Sequence, residues 1–523
     1  MSRIARAALA GAIALAAPSA FAQTLTLASA APVTTIDPHF HNVGPNNALT
    51  MHIFDRLVER DGRARPHPSL AESWRVISDT VWEFKLRQGV TWHDGRPFTA
   101  DDVVFTFGRV PNVPNSPGGF QGFLRAITRV EVVDPHTIRL HTSAPHPLMP
   151  LDLASVSIVA RHAAEGASTE DYNSGKAAIG TGPYRLVSYR LGDRVEMERN
   201  PNWFGGTEPW ARVSYRIITN DGARTAALLA GDVDLIEQIP TSDLARLRRD
   251  ARVTVTSIPS TRTVYIVPDY GREGGDPQVT DNAGNPLPAN PFRDARVRRA
   301  LSMAINRQAL ADQVMEGAGT ATAQWLPEGA FGYNPAVRPR AYDPDGARRL
   351  LAEAGYPEGF RVTFSTPNDR WPNDGRLTQA VAQMWTRIGV RVQVQALPWT
   401  GFVPRRARYD FAVQLAAWGS STGEGSNFLA NVVATRDRVR LTGANNNARF
   451  SDPAFDDLLA RASATLDDER REAMWHEATV RYAETEPYIQ LIQYVNTWAV
   501  RRGMTHDPRM DERTIAMGVR PAR

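Results

Sequence analysis

The sequence predicts an α/β protein built in two or more lobes. Three observations carry this. The chain has 523 residues, more than one hydrophobic core accommodates. From Phe360 onward, alternating apolar residues give way to helical spacing and then alternate again, which is the order of a βαβ unit. Two long extended stretches, near 258–268 and 487–498, lie far apart in the chain and are where it can cross between lobes.

Apolar residues at 42% and charged residues at 22% are ordinary for a folded chain and exclude wholesale disorder. The formal charge is +4, too near neutral for a nucleic-acid footprint. The absence of cysteine excludes disulfides, thiolate metal sites, a cysteine nucleophile and a lipid-anchored cysteine. At the N-terminus Arg3 and Arg6 precede an apolar run from Ala7 to Ala17 and then Ala20-Phe21-Ala22. That order predicts a secretory signal peptide, residues 1–22, cleaved before Gln23. The run is shorter than the ~20 residues of a membrane span. A free, exported, monomeric protein of a bacterial periplasm is expected.

The elements follow in order. "LTLASAAPVTTIDPHFHN" reads as a strand running into a loop at Asp37-Pro38, and "NNALTMHIFDRLVERDG" has helical spacing at Leu49, Ile53 and Leu57. "WEFKLRQGVTWHDG" alternates at Trp82, Phe84 and Leu86 and reaches an Asp94-Gly95 turn, a hairpin signal. Thr99 then caps a helix with Asp101 and Asp102 in its first turn, so His93 beside Asp94 reads as structural punctuation rather than acid–base machinery. "IGTGPYRLVSYRLGDRVEMERNPNWFGG", from Ile179 to Gly206, alternates at Tyr184, Leu186 and Ser188 and at Val195 and Met197 around a Gly-Asp turn and reads as a second hairpin. "DGARTAALLAGDVDLIEQIPTSDLARLRRD" reads as helix, short strand, helix. In "PFRDARVRRALSMAINRQALADQVMEGAG" the residues Val297, Ala300, Leu301, Ala304 and Ile305 mark the clearest helix. "YDPDGARRLLAEAG" is another, stopped at Gly355. "FRVTFSTP", "DGRLTQAVAQMWTRIG", "VRVQVQALPW" and "YDFAVQLAAWG" are strand, helix, strand, strand, and a helical pair then leads to the extended "YIQLIQYVNTWAV".

Five blocks in this order, "IFDRLVERDG", "PSLAESWRV", "FKLRQGVTWHDGRPFTADDVVFTF", "GTGPYRLVSYRLGDRVEMERNPNWFGG" and "DARVRRALSMAINR", resemble the extracytoplasmic solute-binding proteins of peptide/nickel-type ABC importers, family 5. The resemblance implies a two-lobe periplasmic-binding-protein clamp with an enlarged first lobe and a hinge of extended crossing segments. Lobe I would hold residues 23–262 and 490–523, and lobe II residues 263–489. The implied role is capture of a peptide-like or other small charged solute and delivery to an inner-membrane ABC permease, with no catalysis and no cofactor.

Site residues follow from the same resemblance. Similar dipeptide binders place an arginine before the helix after "STPNDRW", on the ligand carboxylate; Arg370 occupies that place, and its planar fork suits a carboxylate. Similar peptide binders have a tryptophan, then an acid three residues on that holds the ligand ammonium. Trp418 matches, but the later position is Ser421, which carries no charge. Either Glu424 takes that role or the ligand lacks a free amino terminus. Trp399 and Asn47 are further candidate contacts. His39 and His41 are too weak a pattern to predict a metal. The ligand alternatives are a metal chelate, a modified peptide or a sugar conjugate. The cross-class alternatives are an exported hydrolase or a chaperone on the same scaffold; against the hydrolase, no Gly-x-Ser-x-Gly elbow, no His-Glu-x-x-His helix and no cysteine nucleophile are expected.

Overall fold

The computed structural model describes residues 24–420 and 422–522; the expected signal peptide, its cleavage point and Ser421 lie outside them. Twelve strands form one mixed sheet, and a separate four-strand antiparallel sheet lies in the N-terminal half. The path of the large sheet runs Val279–Thr280, Arg361–Pro367, Val413–Gly419, Val253–Pro268, Ile489–Arg501, Leu235–Glu237, Thr24–Ser29, Arg212–Ile217, Arg194–Arg199 and Tyr184–Arg190.

Two long strands run through its middle. Val253–Pro268 and Ile489–Arg501 pair antiparallel, from Val253 opposite Arg501 to Ile266 opposite Ile489. The register shifts between Pro259 and Thr263, where Pro259 has no N–H to give. On one side of the shift, Ile489–Arg501 also pairs with Leu235–Glu237. On the other, Val253–Pro268 pairs with Val413–Gly419, Arg262 standing opposite Gly419. Each strand thus serves one half of the sheet with one end and the other half with the other. The two extended stretches legible in the sequence are these straps, and the α/β clamp architecture follows.

Burial agrees with that division. One core gathers Leu25, Phe54, Tyr184, Tyr215 and Trp498, and a second gathers Trp82, Phe84, Phe98, Val103 and Ile138 beneath the four-strand sheet. A third gathers Trp325, Phe428, Trp475 and Tyr488 from the middle of the chain. The fourth core, from Ala28 to Ala499, does not keep to one half: it joins Ile236, Leu244 and Leu247 with Leu301, Phe364 and Trp385 across the straps. Burying each large apolar side chain contributes roughly 1.5–3 kcal/mol, so these clusters supply the main driving force.

The βαβ reading holds: Arg361–Pro367 and Arg391–Leu397 are parallel, joined by the helix Asp374–Thr386. The second hairpin holds too, Tyr184–Arg190 against Arg194–Arg199. Two elements differ. Val81–Leu86 pairs with Ala71–Ser78 and Thr137–Thr142 rather than with the chain beyond Asp94-Gly95, where one bridge, Thr91 to Pro97, closes a tight loop. The helix read from Val297 to Ile305 keeps all five residues buried but ends at Met303. Asn306 then accepts the Ala309 N–H at 2.9 Å and starts a new turn, because a short amide side chain competes for backbone donors.

His93 is scaffolding. The Gly180 N–H donates to its Nδ1 at 3.2 Å, so Nε2 carries the proton and donates to the Gly182 carbonyl at 3.0 Å. Burial holds this imidazole neutral, its pKa pushed down to about 4. Both glycines are required: a Cβ on Gly180 would stand 1.7 Å from the Ile53 carbonyl oxygen, and one on Gly182 would stand 2.6 Å from the Ile53 carbonyl carbon.

Candidate ligand-binding cleft

Two cavities, of about 510 and 240 Å³, share Arg262, Arg370 and Trp371 in their walls and make one cleft beside the straps. The larger has Glu237–Ser242 and Val495–Trp498 on one side and Arg370–Asn373 with Met315 on the other. The smaller continues to Trp399, Arg406, Trp418 and Asn447.

The backbone of Arg370 is fixed while its side chain is free. The strand Arg361–Pro367 ends at a proline, and the Asp374 carboxylate accepts the N–H groups of Arg370 at 3.2 Å and Trp371 at 3.1 Å. Asn373, in the left-handed region at φ 58°, donates to Thr241 Oγ1 and the Val314 carbonyl, each at 3.2 Å. The Arg370 guanidinium has no hydrogen-bond or ion-pair partner among the described residues; its carbon lies 5.4 Å from the Trp399 ring centroid.

Trp399 begins the helix Trp399–Ala407, its N–H accepted by Asp369 at 2.7 Å. Its indole stacks on Phe402 at 5.8 Å and meets the edge of Trp371 at 5.4 Å. Arg406, two helical turns later on the same face, brings its guanidinium carbon to 5.1 Å from the same indole, again without a polar partner among the described residues. Trp418 ends the strand Val413–Gly419, half-buried, with Nε1 donating to Asn427 Oδ1 at 2.8 Å.

The acids in the walls are all engaged. Glu512 accepts from Arg262 Nε at 2.9 Å and Nη2 at 3.1 Å and from Ser260 Oγ at 3.0 Å. Glu237 accepts from Ser29 Oγ at 2.9 Å, the Ala30 N–H at 2.8 Å and Thr514 Oγ1. Asp221 pairs with Arg224 at 2.8 Å. Arg376, the remaining wall cation, pairs with Glu316 at 3.2 Å. Burial, then the charge of Arg262, lowers the Arg370 pKa from its usual range, with Glu512 opposing. Burial also lowers that of Arg406, with Arg370 adding to the effect and Tyr265 opposing it. The cleft thus holds two guanidiniums in want of an anion.

Of the residues singled out in the sequence, Arg370, Trp399 and Trp418 meet in this cleft. Asn47 stands elsewhere, donating to Asn42 at 2.8 Å. Glu424 is turned inward: it is 2% exposed, accepts from Ser426 Oγ at 2.6 Å and faces Arg471 at 3.6 Å. Burial raises its pKa, Arg471 opposing. His39 uses both ring nitrogens, Nδ1 toward Arg109 at 2.7 Å and Nε2 toward the Ser157 carbonyl at 2.8 Å. Arg262, Trp371, Arg406 and Glu512 are wall residues that sequence reasoning missed. The i, i+7 spacing of Trp399 and Arg406 could have found one of them.

Residues 419–423, Gly-Ser-Ser-Thr-Gly, carry the Gly-x-Ser-x-Gly spacing of a hydrolase nucleophile elbow, which the sequence expectations lacked. The serine at the nucleophile position of that spacing, Ser421, lies outside the described residues, and neither cavity wall contains a histidine to act as base.

Residues 65–438 match the sequence profile of the family described as bacterial extracellular solute-binding proteins, family 5. The chain belongs to the family 5 solute-binding proteins. Curated relatives of this family 5 protein include heme-binding protein A of Haemophilus influenzae, 30% identical over 86% of this chain and 83% of its own. The dipeptide-binding protein of Escherichia coli is 27% identical, with 90% of each chain covered. Among solved structures, HbpA2 of Haemophilus parasuis superposes with a TM-score of 0.83 at 26% identity, covering 96% of this chain and 100% of that one. Among the described residues of this family 5 protein, no helix is long and apolar enough to cross a membrane.

Proposed function

We propose that this chain is the periplasmic capture component of an ABC importer, exported by residues 1–22 and then released. Lobe I, residues 23–262 and 490–523, and lobe II, residues 263–489, close on a small acidic, peptide-like solute and present it unaltered to an inner-membrane permease. Arg370 takes the solute carboxylate, and the indoles of Trp399 and Trp418 cover its body. The observation that carries this reading is the Arg370 guanidinium, anchored through its backbone yet without a counter-ion in a cleft of about 510 Å³. Such a cation is compensated when a carboxylate arrives: charge-assisted hydrogen bonds contribute about 1.5–3 kcal/mol each. Contacts to both lobes shift an open–closed equilibrium of a few kcal/mol.

A second reading, a non-peptide solute, is favoured by Ser421 and by the inward turn of Glu424, which leave an ammonium without a carboxylate. Relatives are named for heme, dipeptides and glutathione. Thermal shifts against dipeptides, glutathione and hemin, each repeated with Arg370→Ala, test both readings. A ligand at 100 times its Kd stabilises the fold by about 2.7 kcal/mol. Stabilisation by an acidic compound that vanishes in the variant supports the reading; stabilisation only by cationic compounds contradicts it.

A further inference from the structure

We propose that the solute carries two separate acidic groups and no ammonium that the cleft must hold, one acid resting on Arg370 and the other on Arg406. This rests on the reading above and names its solute class.

Every carboxylate in the cleft wall already has protein partners, and so do the wall cations Arg262 and Arg376. Two guanidiniums remain, both beside the Trp399 indole, with carbons 5.4 Å and 5.1 Å from its centroid. An indole attracts a cation through its face, but it returns far less than a carboxylate does. Each of the two charges also raises the cost of the other, since like charges near one another in a partly desolvated site repel. One anion would satisfy one fork and leave the second uncompensated under a closing lobe. Two anions remove both costs.

The opposite end of the ledger agrees. A solute ammonium needs an acceptor carboxylate; the one wall acid without an ion pair among the described residues, Glu237, lines the larger cavity and not the smaller one where both guanidiniums stand, and its oxygens already take three donors. Glu237 already accepts from Ser29, Ala30 and Thr514, and Glu512 is held by Arg262 and Ser260. Glu424 is buried against Ser426 and Arg471. The smaller cavity, where both guanidiniums stand, adds Asn445 and Asn447 from the loop beyond Trp418, which supply amide groups and no charge. Carboxylates and phosphoryl groups share the chemistry that two planar forks recognise, so the solute is either a dicarboxylate or a phosphorylated acid.

Calorimetric titration with four probes tests this: N-acetyl-Ala-Glu, with two carboxylates; N-acetyl-phosphoserine, with a phosphate and a carboxylate; N-acetyl-Ala-Ala, with one carboxylate; and Ala-Ala, with one carboxylate and an ammonium. One or both doubly acidic probes should bind at least tenfold more tightly than N-acetyl-Ala-Ala, and the better of the two tells dicarboxylate from phosphate. Arg406→Gln should cost that probe at least tenfold more than it costs N-acetyl-Ala-Ala. Arg406→Lys, which keeps the charge, should recover part of the loss, and the melting temperature of each variant checks that it is folded. Ala-Ala binding best, or Arg406→Gln weakening all probes alike or none, overturns the inference and leaves the Arg370 reading standing. If no probe binds, or if Arg370→Gln changes nothing, the capture reading fails and this inference fails with it.

Discussion

Glu512 accepts the Nε of Arg262 at 2.9 Å and its Nη2 at 3.1 Å, so a cation on one strap is neutralised from the C-terminal segment. Position 262 lies at the register shift of one strap, and position 512 lies in the left-handed region at φ 66°. The pair ties the last part of the chain to the crossing strand and leaves the Arg370 guanidinium without Glu512 as an ion-pair partner.

Removing that tie has two consequences. Glu512→Gln should lower the unfolding free energy by about 1–3 kcal/mol, because it leaves the Arg262 charge partly uncompensated. It should also strengthen binding of an acidic solute severalfold, since a third cation then faces the cleft. Urea denaturation and calorimetric titration check the two effects. Burial raises the Glu512 pKa, but Arg262 and Ser260 outweigh it and bring it below the usual carboxylate value. The stabilisation from this pair is therefore complete above the ordinary glutamate range and is lost as pH falls through the lower folded value.

Unpaired charge in the cleft costs stability in the empty protein. Arg406→Met should raise the melting temperature of the ligand-free protein while weakening acidic ligands, the usual exchange of stability for binding. Differential scanning calorimetry without ligand checks it, and a lower melting temperature would show that Arg406 serves the fold.

His93 and Gly180 should matter to folding alone. Gly180→Ala drives a methyl into the Ile53 carbonyl and should cost upward of about 4 kcal/mol or prevent folding. His93→Ala strands the Gly180 N–H and leaves the Gly182 carbonyl with Asn200 as its donor, so it should cost about 1–3 kcal/mol, with ligand affinity of the folded protein unchanged. Since the folded pKa of about 4 lies below the ordinary 6.5, the contribution of His93 is complete above about pH 6.5 and declines as pH falls toward 4. Imidazole nitrogen shifts should report a neutral, Nε2-protonated ring throughout pH 8 to about 5; a ring that charges near pH 6.5 would contradict this.

Much of this was readable because local chemistry and global fold agree. The alternation of Phe364 and Thr366, then the spacing of Leu377, Val381 and Trp385, then Val392 and Val394, specify a βαβ unit without reference to the rest of the chain. Arg370 was readable through the family resemblance, which implies an arginine between that strand and the helix after it. The other half of the cleft was not. Arg262 and Glu512 meet across 250 positions, and nothing in either neighbourhood announces the other. Glu424 illustrates the converse: its loop reads as a ligand contact, yet burial against Arg471 depends on a helix that starts over forty residues later. The helix from Ala295 stopped early because Asn306 could cap a new turn, a choice that periodicity alone does not register.

The most direct test is to denature protein purified from its native host and identify the released small molecule by mass spectrometry. A near-stoichiometric, chemically intact solute bearing acidic groups is the predicted result. A cationic or neutral solute, cleaved fragments of a larger compound, or no solute from any host would contradict capture by Arg370.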